Sequence, residues 1–554
     1  MASIPVVISH RGKRYDVEVD TSSSADLFKY QIFSLTGVEP ERQKVLVKGG
    51  QLKDDTDLTK LNLKPGQVIM MMGTPGKDGA EIVRPAKKPK FIEDMTEAEM
   101  ARQVGTPPAG LLNLGNTCYL NSTLQALRSI PELHTALATH KDEEVAIPQL
   151  DITMQLKDLF AQLADTHGAM PPFVFLSALR YSFPQFAERS RNHSEGYAQQ
   201  DAEEAWSQII SKLKQSLKLK EGESSEVSFV EKYMGGEFSS TLQCDDPAAA
   251  EAGEQPTSSK ESFLKLNCHI DGQTSHLRDG ILNGLSEKIE KTSGVLNRDV
   301  SYTKTSKISR LPKYLTVHFV RFFWKRDVQK KAKIMRKVTF PRELDAVEFC
   351  TDELRKALIP VRDRVRDVVR QEEDIKRKRS RRKNLKTAEE DVPENQKDQG
   401  KEKEKGKAPA KSADGDVVML EGETFKTDAE IEAEEDAALL AAKKELHALI
   451  DPELRKDDGA NQSGIYQLRA VVTHQGASAD SGHYTAYVKK PGDKDPETGK
   501  VGEEDGSWYW FNDDKVEIVG AEKVDALAGG GESHSALILL YRALPLPTAE
   551  GVVE

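Results

Sequence analysis

Residues 372 to 427 set the first limit on the fold. The stretch "KRKRSRRKNLK" (376–386) packs eight basic residues into eleven, and "PENQKDQGKEKEKGKAPAKSADGD" beyond it is almost free of apolar side chains. Such a sequence cannot bury enough surface to offset the entropy of ordering it, so it reads as a disordered insertion. Helical, charged segments flank it: "DELRKALIPVRDRVRDVVRQEEDIK" before and "DAEIEAEEDAALLAAKKELHALI" after. The basic tract suits a nuclear address or a phosphate contact. The plainer reading, a solvated charged face, is preferred. Strong strand signals resume beyond the gap, in "LRAVVT", "HYTAYV" and "WYWF", so one large domain from about residue 106 to 545 must close its core across it. All four tryptophans lie in that domain.

Ahead of it, residues 3 to 72 form a smaller unit. "PVVISHRGKRYDVEV" alternates on both sides of Arg11-Gly12, a hairpin signal. "SADLFKYQIFSLTG" places Leu27, Ile32 and Leu35 on a helix that Gly37 stops. "QKVLVKGGQLKDDTDLTKLNLKPGQVIMMM" supplies a strand, a Gly49-Gly50 turn, a short segment and a last strand, giving the order β-β-α-β-β. Residues 74–105, with "GTPGKDG" and "RPAKKPK", read as a linker, and 546–554 as a tail.

The net charge of -11 argues against a general nucleic-acid binder. No apolar run approaches the roughly 20 residues of a membrane span, and no secretory signal pattern opens the chain. The expected address is cytoplasmic and nuclear, with no membrane or nucleic-acid partner and a monomer when free. Cys118, Cys244, Cys268 and Cys350 stand far apart without a C-x-x-C pair, so neither a zinc ribbon nor a disulfide is expected.

The chemistry points to Cys118. In "GLLNLGNTCYLNSTLQAL" (110–127), Leu120, Leu124 and Leu127 follow it at helical spacing, which sets the thiol in a first turn, where free amides and the helix dipole favour a thiolate. Gly115 allows a tight turn, and Asn113 could donate to an oxyanion. Taken alone, this stretch is better explained by an inert core cysteine. The segment "VVTHQGASADSGHYTAYVKK" changes that, since a cysteine nucleophile needs an imidazole. His483 opens a strand after Gly482, and His474 reads as a loop anchor. "GSWYWFNDDKV" then presents Asn512, Asp513 and Asp514, and one of these could orient His483 in a Cys-His-Asn or Cys-His-Asp arrangement.

These segments closely resemble the cysteine and histidine boxes of the ubiquitin-specific proteases, which are papain-like cysteine proteases. "GYAQQDAEEAW" (196–206) and "LPKYLTVHFVRFFW" (311–324) resemble two further family motifs, in family order. The N-terminal unit resembles ubiquitin itself. Its chain continues as "GTPGKDGAEIV" instead of ending in two glycines, so it reads as a built-in docking module that cannot be conjugated through that tail. With "AGGGESHSALILLYR" near the end, the pattern is closest to the proteasome-associated branch of the family.

The resemblance implies an α+β chain: an N-terminal β-grasp domain, then a protease domain of fingers, palm and thumb that needs no cofactor; some family members bind zinc in the fingers, but no paired cysteine motif remains here, so fingers without zinc are expected. It implies Cys118 as nucleophile, His483 as general base and then acid, Asn512 as the third member with Asp513 as a stand-in, and Asn113 as oxyanion donor. Gln199, Gln200, Asp201 and Tyr484 would bind substrate. Leu46 and Met71, with Lys44 and Lys48 beside them, would dock on the regulatory particle of the 26S proteasome. The implied partners are ubiquitin and ubiquitinated proteins. The implied reaction is thiol-dependent hydrolysis of the isopeptide bond at the ubiquitin C-terminal glycine, with loops near 321–337 and 475–482 gating the channel until docking. The rival readings are a non-catalytic ubiquitin-binding regulator and a protease for another ubiquitin-like modifier.

Overall fold

The computed structural model describes residues 3–547, apart from 12, 22, 37, 48–49, 53–55, 57, 62, 74–106, 142–146, 191–195, 222–224, 326–329, 391–426, 479–480 and 493–501. The chain divides into two compact units, each with its own core. Among the described residues no helix is long and apolar enough to cross a membrane.

In the N-terminal unit, β1 (Ser3–His10) and β2 (Lys13–Asp20) pair antiparallel with His10 opposite Lys13. Arg11 takes the left-handed turn position, at φ 47°. Helix α1 (Ala25–Thr36) follows, then β3 (Lys44–Val47), the two-residue β4 (Gly50–Gln51) and β5 (Gln67–Met72). The sheet order is β2-β1-β5-β3-β4, with β5 parallel to β1 at the centre. This is a β-grasp with one short strand more than the sequence order suggested.

Two expectations for this unit are corrected. Helix α1 buries Ala25, Phe28, Lys29 and Ile32, while Leu27 and Leu35 face out. The inward stripe therefore runs 25–28–32, and the large residues at 27 and 35 fall off it. Met71 is a core residue at 2% exposure, paired with the equally buried Val45. The open face of that sheet carries Leu46, Val68, Met70 and Met72, with Leu46 directly opposite Met70 and exposed Lys44 beside them. Lys48 lies outside the described residues.

The large unit is a helical layer packed on a sheet. The layer comprises α2 (Cys118–Leu127), α3 (Pro131–Thr139), α4 (Ile152–Asp165), α5 (Phe173–Ser182) and α6 (Ala202–Ser216). Asp151 and Asp201 cap α4 and α6 by accepting from Met154 and Glu203 amides.

The sheet runs β10 (Leu266–His269), β13 (Tyr314–Val320), β21 (Ser535–Ala543), β17 (Ile465–Ser478), β18 (Ser481–Lys489), β19 (Trp508–Asn512) and β20 (Lys515–Val519), with β16 (Glu343–Asp345) on β17. Both faces are covered. Ala470, Val472, Tyr484, Ala486 and Leu540 point into the helical layer. Leu468, Val471, Tyr487, Leu539 and Tyr541 point into a second core. That explains why "SALILLY" reads as one continuous apolar run.

Four further strands, β11 (Ser286–Thr292), β12 (Asp299–Arg310), β8 (Gly236–Cys244) and β9 (Thr257–Phe263), make a mostly exposed sheet. Its far end is tied by carboxylates. Glu254 accepts from the Ser293 and Tyr302 hydroxyls, and Asp245 from Ser301 and Thr303.

The insertion begins later than its composition implies. Helix α7 runs unbroken from Asp352 to Glu390, and α8 (Asp428–Leu449) lies against it. Arg379 pairs with Asp436, Arg382 with Glu435, Lys443 with Glu372, and Arg364 with Glu445. Part of the basic tract is thus neutralised by an acidic helix, while Arg377, Lys378 and Arg381 stay exposed. Each such pair is worth under about 1 kcal/mol at this exposure. The anchor is a small apolar cluster, Val361, Val365, Leu446 and Ile450, covered by Leu544 and Leu546. The rest of the insertion, 391–426, lies outside the described residues.

Candidate active site

Cys118 is the first residue of α2, and Leu120, Leu124 and Leu127 behind it are fully buried. The approach is bent by two left-handed residues, Gly115 (φ 94°) and Asn116 (φ 55°). Glycine tolerates the first without strain, and asparagine is among the few side chains that tolerate the second. Asn113 stabilises this bend. Its Oδ1 accepts from the Gly115 and Thr117 amides at 3.0 and 3.2 Å.

Strand β18 brings the imidazole. His483 Nε2–H donates to Asn512 Oδ1 at 2.6 Å, across the β18–β19 pair. That leaves Nδ1 to take a proton. The backbone amides of Tyr484, the residue after His483, of Tyr119 and of Cys118 itself lie near the Cys118 sulfur and pull its pKa down. Residues 118, 483 and 512 are therefore assembled at one place by three separate elements.

Asp513 does not face His483. It sits at the β19–β20 turn with φ 52°, and its side chain points at the cysteine loop. Oδ2 accepts from Asn113 Nδ2 at 3.0 Å, and Oδ1 from Asn121 Nδ2 at 2.8 Å. Its own carbonyl accepts from the Leu111 amide at 2.9 Å. The orienting partner of His483 in this structure is Asn512, and Asp513 secures the segment that carries Asn113.

Electrostatics oppose the expected thiolate. Burial pushes the Cys118 thiol up to about 11, and the negative charge of Asp513 adds to the rise. The nearby backbone amides pull the other way and do not win.

The remaining sequence candidates are spread around this centre. Gln199 has a buried side-chain nitrogen that finds no acceptor among the described residues, and Gln200 is half-buried. Asp201 caps α6. Tyr484 contributes its main chain to the site, while its ring is buried against His474, centroids 4.6 Å apart.

His474 is an anchor. It is wholly buried between Phe322 and Tyr484, and its carbonyl accepts from Lys333 Nζ at 2.7 Å. That bond ties the hairpin β14 (Phe322–Lys325) and β15 (Lys330–Lys333) to the sheet. Burial holds Lys333 down at about 8 and His474 at about 3.

Four participants escaped the sequence reading. Asn121 was visible three residues after Cys118 but carries no signal of its own. His534 lies edge-on to His483, 6.4 Å between centroids, with Nδ1 3.2 Å from the Thr473 hydroxyl. Lys333 and Arg321 lay in the 321–337 segment expected to gate the channel, but neither was given a role of its own. The Arg321 guanidinium is buried and donates to the carbonyls of Ala536, Ile334, Arg336 and Ala528, stapling the hairpin base to β21 and to the segment before it.

A helix-borne cysteine served by a strand-borne histidine and an asparagine defines a cysteine hydrolase of papain-like logic. Comparison with known proteins refines that class. Residues 109–541 match the family described as ubiquitin carboxyl-terminal hydrolase, and residues 6–76 match the ubiquitin family. The chain is 43% identical to ubiquitin carboxyl-terminal hydrolase 6 of Schizosaccharomyces pombe over 98% of its own length and 99% of the relative's. It is 37% identical to ubiquitin carboxyl-terminal hydrolase 7 of Arabidopsis thaliana (95% and 96%), and 32% identical to ubiquitin carboxyl-terminal hydrolase 14 of Caenorhabditis elegans (98% and 94%). The chain belongs to the ubiquitin carboxyl-terminal hydrolase family, as a cysteine deubiquitinase with an N-terminal ubiquitin-like domain.

Proposed function

We propose that this deubiquitinase works on the proteasome of the cytosol and nucleus, trimming ubiquitin from bound substrates and recycling it, with Cys118, His483 and Asn512 as its catalytic set. The observation that carries the residue assignment is the double link at β18. The Tyr484 amide lies near enough to the Cys118 sulfur to lower its pKa, and His483, one residue earlier, is oriented by Asn512.

In the first step His483 Nδ1 takes the thiol proton as the sulfur attacks the glycine carbonyl carbon. The Asn113 amide has two N–H groups. One is held by Asp513, which leaves the other for the oxyanion, beside the backbone amides of the first turn. His483 then gives its proton to the departing lysine amine, and afterwards draws one from the water that cleaves the thioester. Gln199 and Gln200 line the approach of the ubiquitin tail.

Docking uses the open sheet face of the ubiquitin-like domain, Leu46, Val68, Met70 and Met72 with Lys44 beside them. Gating is supported by the state of the thiol, only 3% exposed and held neutral, and by the Lys333 latch that ties the hairpin to the sheet at His474, whose ring packs on Tyr484.

The test is hydrolysis of a fluorogenic ubiquitin C-terminal amide, with and without purified 26S proteasome, for the parent, Cys118→Ala and Met70→Asp. The reading expects cleavage that rises on docking, vanishes in Cys118→Ala, and loses only the docked increase in Met70→Asp. Equal activity with and without proteasome would overturn the gating. Preference for the probe of another modifier would overturn the substrate.

A further inference from the structure

An oxyanion donor has to be aimed, and Asn113 cannot be aimed by packing, because its side chain is exposed. Hydrogen bonds do it instead. Asn113 Oδ1 accepts from the Gly115 and Thr117 amides and from the Thr117 hydroxyl, and Nδ2 donates to Asp513 Oδ2 at 3.0 Å. The bond to Asp513 is open to solvent, so water competes for it, and Asp513 is itself only half-buried. Whatever holds that carboxylate from behind therefore decides how firmly the donor is set.

Asn121 holds it. This residue lies in α2, three positions after Cys118, and is 2% exposed. Its Nδ2 meets three acceptors: Asp513 Oδ1 at 2.8 Å, and the carbonyls of Leu111 and Leu112, each at 3.3 Å. Three acceptor oxygens around one atom fix the orientation of the amide, since the reversed amide would set its own oxygen against them. One hydrogen serves the short bond, and the other is shared between the two carbonyls. Asn121 thus grips Asn113 from two directions, by the main chain just ahead of it and by the carboxylate beyond its side chain. The arrangement has a cost. Asn121 Oδ1 is buried and finds no donor among the described residues. Folding alone does not reward an orphaned acceptor inside a helix, where an apolar side chain of the same shape would leave none.

We propose that Asn121 is a positioning residue for the hydrolysis, acting on the oxyanion donor Asn113 through Asp513 and through the Leu111–Leu112 main chain. The role deepens the cleavage reading above and rests on it. Helix α2 carries the nucleophile at its first residue, and Asn121 makes the same helix the frame that sets the donor. Sulfur and donor are then fixed relative to one rigid element. A donor that drifts from its place binds the ground-state carbonyl almost as before and the tetrahedral oxyanion less well, so the loss falls on kcat and spares KM.

The test uses the full chain on purified 26S proteasome, with the fluorogenic ubiquitin amide and iodoacetamide as probes, for the parent, Asn113→Ala, Asn121→Leu and the Asn113→Ala/Asn121→Leu pair. Leucine keeps the branched shape of the asparagine side chain and removes its hydrogen bonds, and Asn121→Ala repeats the measurement without the bulk. Either Asn121 variant should lower kcat about tenfold with KM within about twofold, a smaller loss than the roughly hundredfold expected when Asn113→Ala removes the donor outright. Cys118 should alkylate within about threefold of the parent rate, because its burial and its neighbouring amides are unchanged. In the double variant the Asn121 change should cost less than about twofold beyond Asn113→Ala, since no donor is left to position. Losses that multiply would place Asn121 outside the oxyanion arrangement and overturn the proposal, as would an unchanged kcat. A joint fall in kcat, alkylation and melting temperature in both Asn121 variants would assign the residue to the fold instead. An Asn113→Ala variant with the parent's rate overturns the oxyanion assignment first, and a parent that does not cleave overturns the cleavage reading; either result takes this proposal with it.

Discussion

Replacing Asp513 by Asn tests the site more sharply than removing any member of the Cys-His-Asn set. Asn is the right probe because position 513 sits at φ 52°, which asparagine tolerates and alanine does not. The carboxylate now accepts from two amide nitrogens, Asn113 at 3.0 Å and Asn121 at 2.8 Å. An asparagine can accept with one oxygen only, so one of the two donors loses its partner. A hydrogen bond to a charged group contributes about 1.5–3 kcal/mol. If that is the bond holding Asn113, and it is expressed in the transition state, turnover falls about 10- to 150-fold. The same change acts on the thiol with the opposite sign. The Asp513 charge raises the Cys118 pKa, so neutralising it lowers that pKa and should speed iodoacetamide alkylation. The assay pairs kcat on the fluorogenic ubiquitin amide with the second-order alkylation rate of Cys118. Slower turnover with faster alkylation is the expected signature. Parallel loss of both would mean local unfolding, and unchanged turnover would refute the assignment of Asp513 to the oxyanion segment.

Cys118 in the free enzyme should alkylate slowly, since a thiol raised from 9.0 to about 11 holds roughly a hundredfold less thiolate at pH 7.5, and its rate should keep climbing with pH beyond 9; a plateau near pH 8 would contradict the burial argument. Cys268 and Cys350 are pushed up to about 12 by the same cause. Buried thiols that stay neutral when folded ionise first in the unfolded chain, so their contribution to stability is fully present below about pH 8.5 and is lost above it, read as a urea midpoint that declines from there upward. In the ubiquitin-like domain, Met70→Asp should weaken proteasome binding with little change in melting. Met71→Asp should unfold the domain, because it buries a charge among Val45 and its neighbours at a cost of several kcal/mol. Arg321→Lys should cost about 3 kcal/mol or more, because one ammonium cannot serve four diverging carbonyls, and calorimetry would show it.

Much of this was legible in the sequence, and the parts that were not share a cause. Cys118 and His483 could be found because each has a local signature: a glycine turn before a leucine-periodic helix, and a glycine before an alternating strand. Which of Asn512 and Asp513 orients the imidazole could not be read, because that depends on where the strand ends and its turn begins. One residue later the chain is in a left-handed conformation, and the side chain faces another element. Met71 failed for a related reason. Alternation predicts two faces and does not say which is inside, and a shift of one residue exchanges Met70 for Met71. The insertion failed because composition is local. "KRKRSRRKNLK" looks unstructured until the acidic residues of α8 are placed beside it, some fifty positions later in the chain.

The thiol shows best where a local rule is outweighed. A first-turn position was expected to favour the thiolate, and a helix terminus is worth about 0.3–1 kcal/mol, up to ~2 in favourable geometry. At 1.36 kcal/mol per pKa unit, that lowers a thiol by no more than about 1.5 units. The net movement here is upward by about two, from 9.0 to about 11, so burial must exceed the helix and the amides together. The sequence signal was correct in sign and too small. It follows that a chemically complete site need not be an active one. For a deubiquitinase gated as proposed, the change that switches it on need not move Cys118 or His483 at all. Bringing water, or the polar main chain of a ubiquitin tail, to the sulfur removes the opposing term and leaves the helix and the three amides to stabilise the thiolate.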